Sequence, residues 1–172
     1  MAGILNFIAY QIAWLACVLG AAWQHPTWGM AFVLFVVALH LVLAANRAQQ
    51  IKLILCATGI GLVVDTLLIQ IHTLRFTGGQ WLPGIAPYWM LSLWSAFATT
   101  FTTSLSWLMR RPWLAAGVGA VGGPLAYAAG ARLGALSISA PISGVGAIAT
   151  AWAIAMWLLA TLVNKTTTEL PA

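Results

Sequence analysis

Apolar residues run along this chain in long stretches separated by short polar breaks. A membrane's hydrocarbon core, about 30 Å thick, is crossed by roughly 20 apolar residues in a helix that rises about 1.5 Å per residue. The pattern therefore predicts an all-α integral membrane protein, with one transmembrane helical domain over residues 1–163 and a short polar tail over 164–172. Its bundle has about six transmembrane helices, at about Ile4–Trp23, Trp28–Ala45, Ile51–Ile71, Pro87–Met109, Trp113–Ala131 and Gly144–Val163.

The break between residues 132 and 141 is the weakest of the polar boundaries. Only Arg132, a few serines and Pro141 interrupt the apolar run there. A five-helix bundle with a re-entrant segment at this point is therefore the alternative to six crossings.

Composition supports a bilayer as the solvent. Hydrophobic residues make up 62% of the chain and charged residues 5%, against roughly 25% charged in soluble domains. The net charge of +5 does not indicate nucleic-acid binding, because no basic run is longer than Arg110-Arg111. We expect no nucleic-acid partner and predict no cofactor.

Lysine and arginine predict the orientation, since cytoplasmic loops of membrane proteins retain an excess of both. A cytoplasmic N-terminus leaves Arg75 and Arg132 outside the cytoplasm and places the C-terminus inside. The same orientation places five basic residues in the cytoplasm: Arg47, Lys52, Arg110, Arg111 and Lys165.

Asp65 is the strongest chemical anomaly, because it is an aspartate well inside the third segment. A charged aspartate at a helix centre costs about 2.5–3.5 kcal/mol on insertion scales, so such residues face the bundle interior and have partners. Asp65 is a candidate acid or base, or else a hydrogen-bonded carboxyl that fixes helix packing. His72 follows seven residues later, which predicts a shared helix face and a possible proton shuttle.

Two further polar sets are predicted near the helix ends. His25 lies at a depth comparable to that of His72, and with Arg75, Gln70 and Gln24 the two histidines could form an outward-facing polar pocket. Such a pocket could bind a metal or carry protons, whereas the alternative is that the histidines are simply interfacial. On the cytoplasmic side, Asn6, Gln11 and His40 form a second candidate cluster. We favour a structural role for this cluster over a catalytic role for His40.

The fourth segment carries hydroxyl residues at alternating spacings of three and four. They line one face of a helix and suit either a packed seam, which we favour, or a wet path through the bundle. The set is Ser92, Ser95, Thr99, Thr102 or Thr103, and Ser106, with Tyr127 as a further intramembrane polar candidate in the fifth segment.

Glycines at 117, 119 and 122 match the letters of a dinucleotide-binding loop. That loop needs a preceding strand, a helix N-terminus and a later acidic residue, and none of the three is predicted here. Two small-xxx-small pairs, Gly119/Gly123 and Gly130/Gly134, instead predict close helix packing.

The chain resembles a family of small multi-pass inner-membrane proteins of proteobacteria that is catalogued as a domain of unknown function. The resemblance implies a bacterial inner-membrane location and genes that lie near those of lipid-modifying enzymes, and it assigns no catalytic residue. It covers nearly the whole chain and rests on Asn6, Gln11, Trp14, residues 17–21, His40, Asp65, residues 87–90, Leu93-Trp94 and residues 122–127.

Three functions fit these observations. The first is a small accessory or lipid-associated membrane component, with membrane lipids, other membrane proteins or a second copy of the chain as partners. The second is a membrane-embedded enzyme that acts on a lipid or another apolar substrate through Asp65. The third is a small transporter or channel that uses Asp65 as a proton or cation site.

Overall fold

The structure is a computed structural model that describes residues 2–139 and 141–168. Within these residues the chain forms α1 (Ala2–Ala22), α2 (Pro26–Leu43), α3 (Arg47–Gln70), β1 (Leu74–Phe76), α4 (Tyr88–Ala98), α5 (Ser106–Met109), α6 (Pro112–Arg132), β2 (Leu136–Ile138) and α7 (Pro141–Thr168).

Helices begin at the proline and polar breaks of the sequence. Proline occupies the first turn of α2 and of α6, where its missing N–H would have no helical partner in any case. Asn46 caps α3 by accepting a hydrogen bond from the backbone N–H of Gln49 (3.0 Å), which satisfies one of the free donors of the first turn.

In the described part of the chain, five helices are long and apolar enough to cross a membrane, namely α1, α2, α3, α6 and α7. Five of the six predicted segments therefore appear as single long helices. Between α6 and α7, residues 133–138 form a turn and the strand β2, so the two helices are not one continuous apolar helix.

The fourth predicted segment, Pro87–Met109, is not one helix. It divides into α4 and α5, and the residues between them form successive turns. Thr99 and Thr100 donate their hydroxyl hydrogens to the carbonyls of Ala96 and Phe97 (2.7 and 2.6 Å), and their backbone N–H groups contact the same two carbonyls. This three-residue spacing tightens the helix and ends it.

The two loops that the sequence predicted on one side of the membrane are joined by a short sheet. β1 pairs antiparallel with β2, with Arg75 opposite Ser137. Leu74 and Leu136 are buried while Arg75 and Ser137 are exposed, as the two-residue period of a strand requires. The sheet closes the end of the bundle where α3 leads toward α4 and α6 leads toward α7.

Both described termini lie at the other end. The side chain of Asn6 contacts Thr103 (2.6 Å) just before α5, and Asn164 of α7 donates to the carbonyl of Met109 (3.2 Å) at the end of α5.

The fourth predicted segment lies at the centre of the bundle. Eight of the eleven residues of α4 are buried, and the helix packs against α1, α2 and α3. The other helices leave many apolar side chains exposed on their outer faces, as is expected when the surrounding solvent is lipid.

Glycines at 119 and 123 lie where α6 meets α7. A Cβ atom at Gly119 would come within 2.6 Å of Met156, and one at Gly123 would overlap the ring of Trp152. The predicted pair Gly130/Gly134 is different, because α6 ends at Arg132 and Gly134 adopts a φ of +89° beyond it. That second pair was wrong as a helix-packing motif, since a left-handed glycine terminates a helix.

The predicted polar tail over 164–172 is helical through Thr168, because α7 continues that far. Residues 169–172 lie outside the described residues.

Candidate functional site

Asp65 lies at the point where α3, α4 and α6 meet. The buried residues of α3 recur at intervals of three and four, so they form one inward face. Asp65 belongs to that face and is 0% exposed. Trp94 of α4 donates its indole N–H to Oδ2 (2.9 Å), and the hydroxyl of Tyr127 of α6 donates to Oδ1. Each carboxylate oxygen thus has a hydrogen-bond donor, as a buried polar group requires.

Glycines set the positions of the tryptophans around this carboxylate. A Cβ at Gly61, one turn before Asp65, would overlap the ring of Trp94. Trp94 in turn stacks on Trp152 of α7, with 4.8 Å between ring centroids and 25° between planes, and Trp152 covers Gly123. Because each ring fills space that a side chain would otherwise occupy, the carboxylate's partners are held by close packing.

A small inner chamber of about 40 Å³ adjoins the carboxylate's two partners. Trp94 and Tyr127 form part of its wall. Five further aromatic side chains line it, from α1, α4 and α7: Tyr10, Trp14, Trp89, Phe97 and Trp152. The remaining wall residues are aliphatic residues, Met90 and glycine, and two of them belong to α6 and one to β2.

An outer cleft of about 390 Å³ lies next to this chamber, between α1 and α6. The two cavities share Tyr10, Trp14, Phe97, Ala126 and Trp152. The cleft extends along α6 past the glycines at 119, 122 and 123, and the exposed side chain of Gln11 lies on its α1 side. Its volume lies in the range of small-molecule sites, which is about 300–1,000 Å³.

A second large groove, of about 840 Å³, lies between α3 and α7. Its lining is apolar apart from Thr150 and Cys56, and it includes Gly59 and Gly146. Asp65 and its two partners do not line it. The groove between α3 and α7 therefore differs from the cleft between α1 and α6 in having no connection to Asp65 or its partners.

The predicted shared face of Asp65 and His72 is wrong. Helix α3 ends at Gln70, and His72 lies beyond it with a φ of +56° and an exposed side chain. Its backbone N–H bonds to the carbonyl of Ile69, and that of Thr73 bonds to Leu68, which is the pattern of a left-handed helix cap.

The predicted outward pocket does not gather its residues into one set of contacts. His25 stacks on Trp28 (5.5 Å between centroids) and is exposed, while Gln70 donates to the carbonyl of Gly84 (2.9 Å). Across the described part of the chain, no three His, Cys, Asp or Glu side chains are grouped closely enough to hold a metal ion.

His40 belongs to a hydrogen-bonded chain at the end of the bundle that carries both termini. Its Nε2 lies 3.0 Å from Oε1 of Gln50, and the amide of Gln50 donates to the hydroxyl of Thr102 (3.0 Å). These links tie α2 and α3 to the turns after α4. His40 is therefore placed in contacts between helices, and its partner Gln50 is a residue that the sequence did not identify.

Asn6 joins the same turns from α1, whereas Gln11 does not. Oδ1 of Asn6 accepts from the hydroxyls of Thr103 (2.6 Å) and Ser104 (2.8 Å), and its amide contacts Thr99 Oγ1 (3.3 Å). Asn6 and His40 line one cavity of about 690 Å³.

The hydroxyl residues of the fourth segment mostly contact their own backbone. Ser92 donates to the carbonyl of Trp89 (2.7 Å), Ser95 to that of Leu91 (3.0 Å) and Ser106 to that of Thr103 (2.9 Å). Ser95 also contacts Thr58 of α3 (3.1 Å). These contacts are those of a helix seam more than of hydroxyls that face a wet path.

Sequence reasoning identified Asp65 and included Tyr127, but it did not connect them. It also missed the aromatic walls formed by Trp94, Trp152 and Phe97. The sequence does contain indole and phenol donors on other apolar segments that could bond to an intramembrane aspartate. Which donor meets Asp65 depends on how the helices pack against one another, and the sequence does not show this.

Comparison with known families gives one match. A family model described as "Protein of unknown function (DUF2878)" matches residues 3–158. No curated protein and no solved structure matches the chain.

Proposed function

We propose that this chain, which belongs to the DUF2878 family of proteins of unknown function, is a lipid-associated membrane component that binds an apolar chain in the cleft between α1 and α6. The observation that carries the proposal is that this cleft lies next to the chamber beside Asp65 and shares five wall residues with it. A groove that only contacts bulk lipid would not need a buried carboxylate behind the wall of the neighbouring chamber, because such a group is costly to place in the membrane.

The chemistry of the walls supports an apolar ligand. Aromatic side chains provide large rigid contact areas, and few polar groups line the two cavities. Leu105, Val118 and Leu125 extend the apolar lining toward the outer part of the cleft.

We place the protein in a bacterial inner membrane, with six crossings and cytoplasmic termini. The fourth crossing would be made by α4, the threonine-rich turns and α5 together. The bias of Lys and Arg and the location of both described termini at one end of the bundle support this topology. Labelling of cysteines introduced at Arg75 or Arg110 with a membrane-impermeant thiol reagent tests it: only the Arg75 position should react in intact cells, and the reverse result would invert the topology.

The lipid-binding proposal is tested by filling the cleft. Gly122 lines the cleft, and a Cβ added there meets no atom within 4 Å. The side chain of Gly122→Leu would therefore occupy the cleft, and its Cβ would not clash with a neighbouring residue. Gly117 on the same helix also has open space at its Cβ and lies outside the cleft, so Gly117→Leu is a matched control.

Native mass spectrometry of protein purified in mild detergent would count the lipids that remain bound. We expect at least one tightly bound lipid in the native protein and in Gly117→Leu, and its loss in Gly122→Leu. Equal lipid retention in all three proteins would contradict binding in the cleft.

A second candidate function is a membrane-embedded enzyme that acts on the bound lipid. The hydrogen bond from Tyr127 to Asp65 favours it, because Tyr127 lines the chamber and Asp65 lies behind it as an acceptor for its proton, so Tyr127 can exchange a proton with a group bound in the chamber. Total membrane lipid composition in a deletion strain complemented with native protein or Asp65→Asn tests it. A lipid species that returns only with the native protein supports catalysis, whereas identical lipids in both strains at matched expression argue against it.

Assembly with a second copy or with another membrane protein remains a prediction. Purification in mild detergent that yields only a monodisperse monomer, free of any other protein, would count against it.

A further inference from the structure

A cavity of about 690 Å³ lies at the end of the bundle that carries both described termini. Its wall comes from α1, α2, the loop before α3, the first turn of α3 and the turns after α4. None of its wall residues lines the cleft between α1 and α6, so the two cavities have separate walls. The polar part of the wall consists of Asn6, His40, Asn46, Gln49, Gln50, Thr102 and Thr103.

Most of these polar side chains bond to other parts of the protein. Asn6 accepts from the hydroxyl of Thr103 (2.6 Å). Asn46 accepts from the backbone N–H of Gln49 (3.0 Å), and the amide of Gln49 contacts the carbonyl of Thr166 (3.5 Å). These contacts give the polar part of the wall a fixed arrangement.

His40 has one ring nitrogen that is not used in this way. Its Nε2 lies 3.0 Å from Oε1 of Gln50. Because an amide oxygen only accepts, Nε2 carries the hydrogen, and Nδ1 of the neutral ring is then an acceptor. Among the described residues Nδ1 has no hydrogen-bond partner, and it is not one of the polar atoms that the surrounding protein closes off. Since His40 lines the cavity, a bound group with a hydrogen-bond donor can satisfy Nδ1.

The charge of the wall restricts that group. No Asp, Glu, Lys or Arg of the described residues lines the cavity. Arg47 follows the wall residue Asn46, but its side chain is exposed and donates to the carbonyl of Val42 (3.2 Å). A phosphate or ammonium group in the cavity would therefore lose water without gaining an opposite charge, which is costly. An uncharged hydroxyl avoids this cost and supplies the donor.

The apolar part of the wall indicates what carries the hydroxyl. Leu5 of α1 and Leu43 of α2 both line the cavity, and their side chains are 63% and 75% exposed. Leucines exposed on the outer faces of membrane-spanning helices contact acyl chains. A molecule whose hydroxyl reaches His40 can therefore extend acyl chains along these leucines, whereas a soluble polyol would leave them uncovered.

We propose that this cavity is a second lipid site that binds diacylglycerol, whose free hydroxyl donates a hydrogen bond to Nδ1 of His40 while its acyl chains run past Leu5 and Leu43 into the membrane. Diacylglycerol combines an uncharged polar end, a hydroxyl donor and two apolar chains. The site does not depend on lipid binding in the cleft between α1 and α6. Gln50 is a positioning residue here, because its contact with Nε2 leaves Nδ1 as the acceptor.

The test compares lipids that differ in the hydroxyl or in charge. Purified, delipidated protein is titrated in mild detergent with dioleoylglycerol, with the dioleoyl ester of propanediol, which lacks the free hydroxyl, and with dioleoyl phosphatidylglycerol, which carries a phosphate. Native mass spectrometry reports the bound fraction of each lipid. Glycerol, added as a competitor at the concentration of the lipid, tests whether the polar end alone is enough.

Two pairs of variants locate the binding. His40→Phe keeps an aromatic ring and removes both nitrogens, and His25→Phe is its control, because His25 stacks on Trp28 (5.5 Å) and lies outside this cavity. Ala45→Trp places a large ring at an exposed position of the wall. Ala48 is also an exposed alanine but lies outside the wall, so Ala48→Trp is the control. The tryptophan pair tests the site if His40→Phe does not fold.

We expect the native chain and His25→Phe to bind dioleoylglycerol about 2- to 10-fold more tightly than the propanediol ester, the range of one net hydrogen bond. In His40→Phe the two lipids should bind equally. Ala45→Trp should weaken the binding of dioleoylglycerol, and Ala48→Trp should not. Gly122→Leu should keep the preference for the hydroxyl, because Gly122 lines the other cavity.

Equal binding of dioleoylglycerol and the propanediol ester by the native chain would overturn the inference. Phosphatidylglycerol that binds as tightly as dioleoylglycerol and is weakened by Ala45→Trp would also overturn it, as would displacement of dioleoylglycerol by an equal concentration of glycerol. Loss of the hydroxyl preference in Gly122→Leu would place the lipid in the cleft and exclude this second site. A Gly122→Leu chain that retains every lipid of the native protein would overturn only the proposed function.

Discussion

The hydrogen bond between Tyr127 and Asp65 allows a quantitative test of the site by a double-mutant cycle. Tyr127→Phe removes the hydroxyl and leaves Oδ1 of a fully buried carboxylate without its donor. Asp65→Asn keeps the shape of the side chain but replaces one of its two acceptor oxygens with an NH₂ donor. Either Tyr127 or Trp94 therefore loses its acceptor. Hydrogen bonds to charged groups contribute about 1.5–3 kcal/mol in soluble proteins, whereas coupling energies between transmembrane helices average about 0.6 kcal/mol with a maximum near 1.7.

The buried position of Asp65 and its two donors favour the upper part of the transmembrane range. We therefore expect each single variant to lower the free energy of unfolding by about 1–3 kcal/mol, and the double variant to lose about 1–1.5 kcal/mol less than the sum of the two. Unfolding in mixed micelles with increasing sodium dodecyl sulfate, followed by far-ultraviolet circular dichroism, measures all four proteins under one condition.

Tyr10→Phe is the control for this cycle. Tyr10 lines the same chamber but does not contact Asp65, whose two oxygens accept from Trp94 and Tyr127. Coupling between Tyr10→Phe and Asp65→Asn should stay below about 0.5 kcal/mol, as for sites without shared partners. Coupling of that small size for Tyr127 as well would refute the conclusion that Tyr127 and Asp65 act as one unit.

Three further predictions concern elements that hold the site. Gly61→Ala should destabilise the protein by about 1–3 kcal/mol, because the added Cβ would overlap the ring of Trp94. Gly59→Ala is the control on the same helix and should be neutral or stabilising, because its Cβ meets open space. Unfolding in detergent measures both variants, and equal effects would contradict the packing of Trp94 on Gly61. His72→Gly should raise stability by up to about 1 kcal/mol, since glycine adopts the positive φ of this cap without strain, and a loss of stability would contradict the cap assignment. The double variant Arg75→Cys/Ser137→Cys should form a disulfide under mild oxidation, because these residues are paired across β1 and β2. Paired residues of this kind have a typical Cα separation of about 5.5 Å, which a disulfide can span. Mass spectrometry that finds only free thiols would contradict the register of the two strands.

The lengths of the apolar segments predicted much of the fold, and particular residues show which features they could not predict. The helices α1, α2, α3, α6 and α7 follow from apolar length alone. The break after Ala98 was not predicted, because threonines at spacings of three and four look the same on a helix face and in turns that bond back on themselves.

Other features depended on distant partners. The strands β1 and β2 have three residues each and pair across about sixty positions, so no local pattern could reveal them. His72 appeared to lie on the face of Asp65 because Ile71 extends the apolar run past the true end of α3. The intramembrane Asp65 was visible from its chemistry, but its partners Trp94 and Tyr127 became identifiable only from the packing of three helices.

Photo-crosslinking maps the binding surface and tests the central claim most directly. Cells expressing the protein are fed a fatty acid that carries a diazirine near the end of its chain, irradiated, and the modified peptides are identified by mass spectrometry. The cleft between α1 and α6 predicts enrichment on peptides containing Tyr10, Trp14 or Ala126, and loss of that enrichment in Gly122→Leu but not in Gly117→Leu. Equal modification of the groove between α3 and α7, with no change in Gly122→Leu, would contradict a specific lipid site in the cleft.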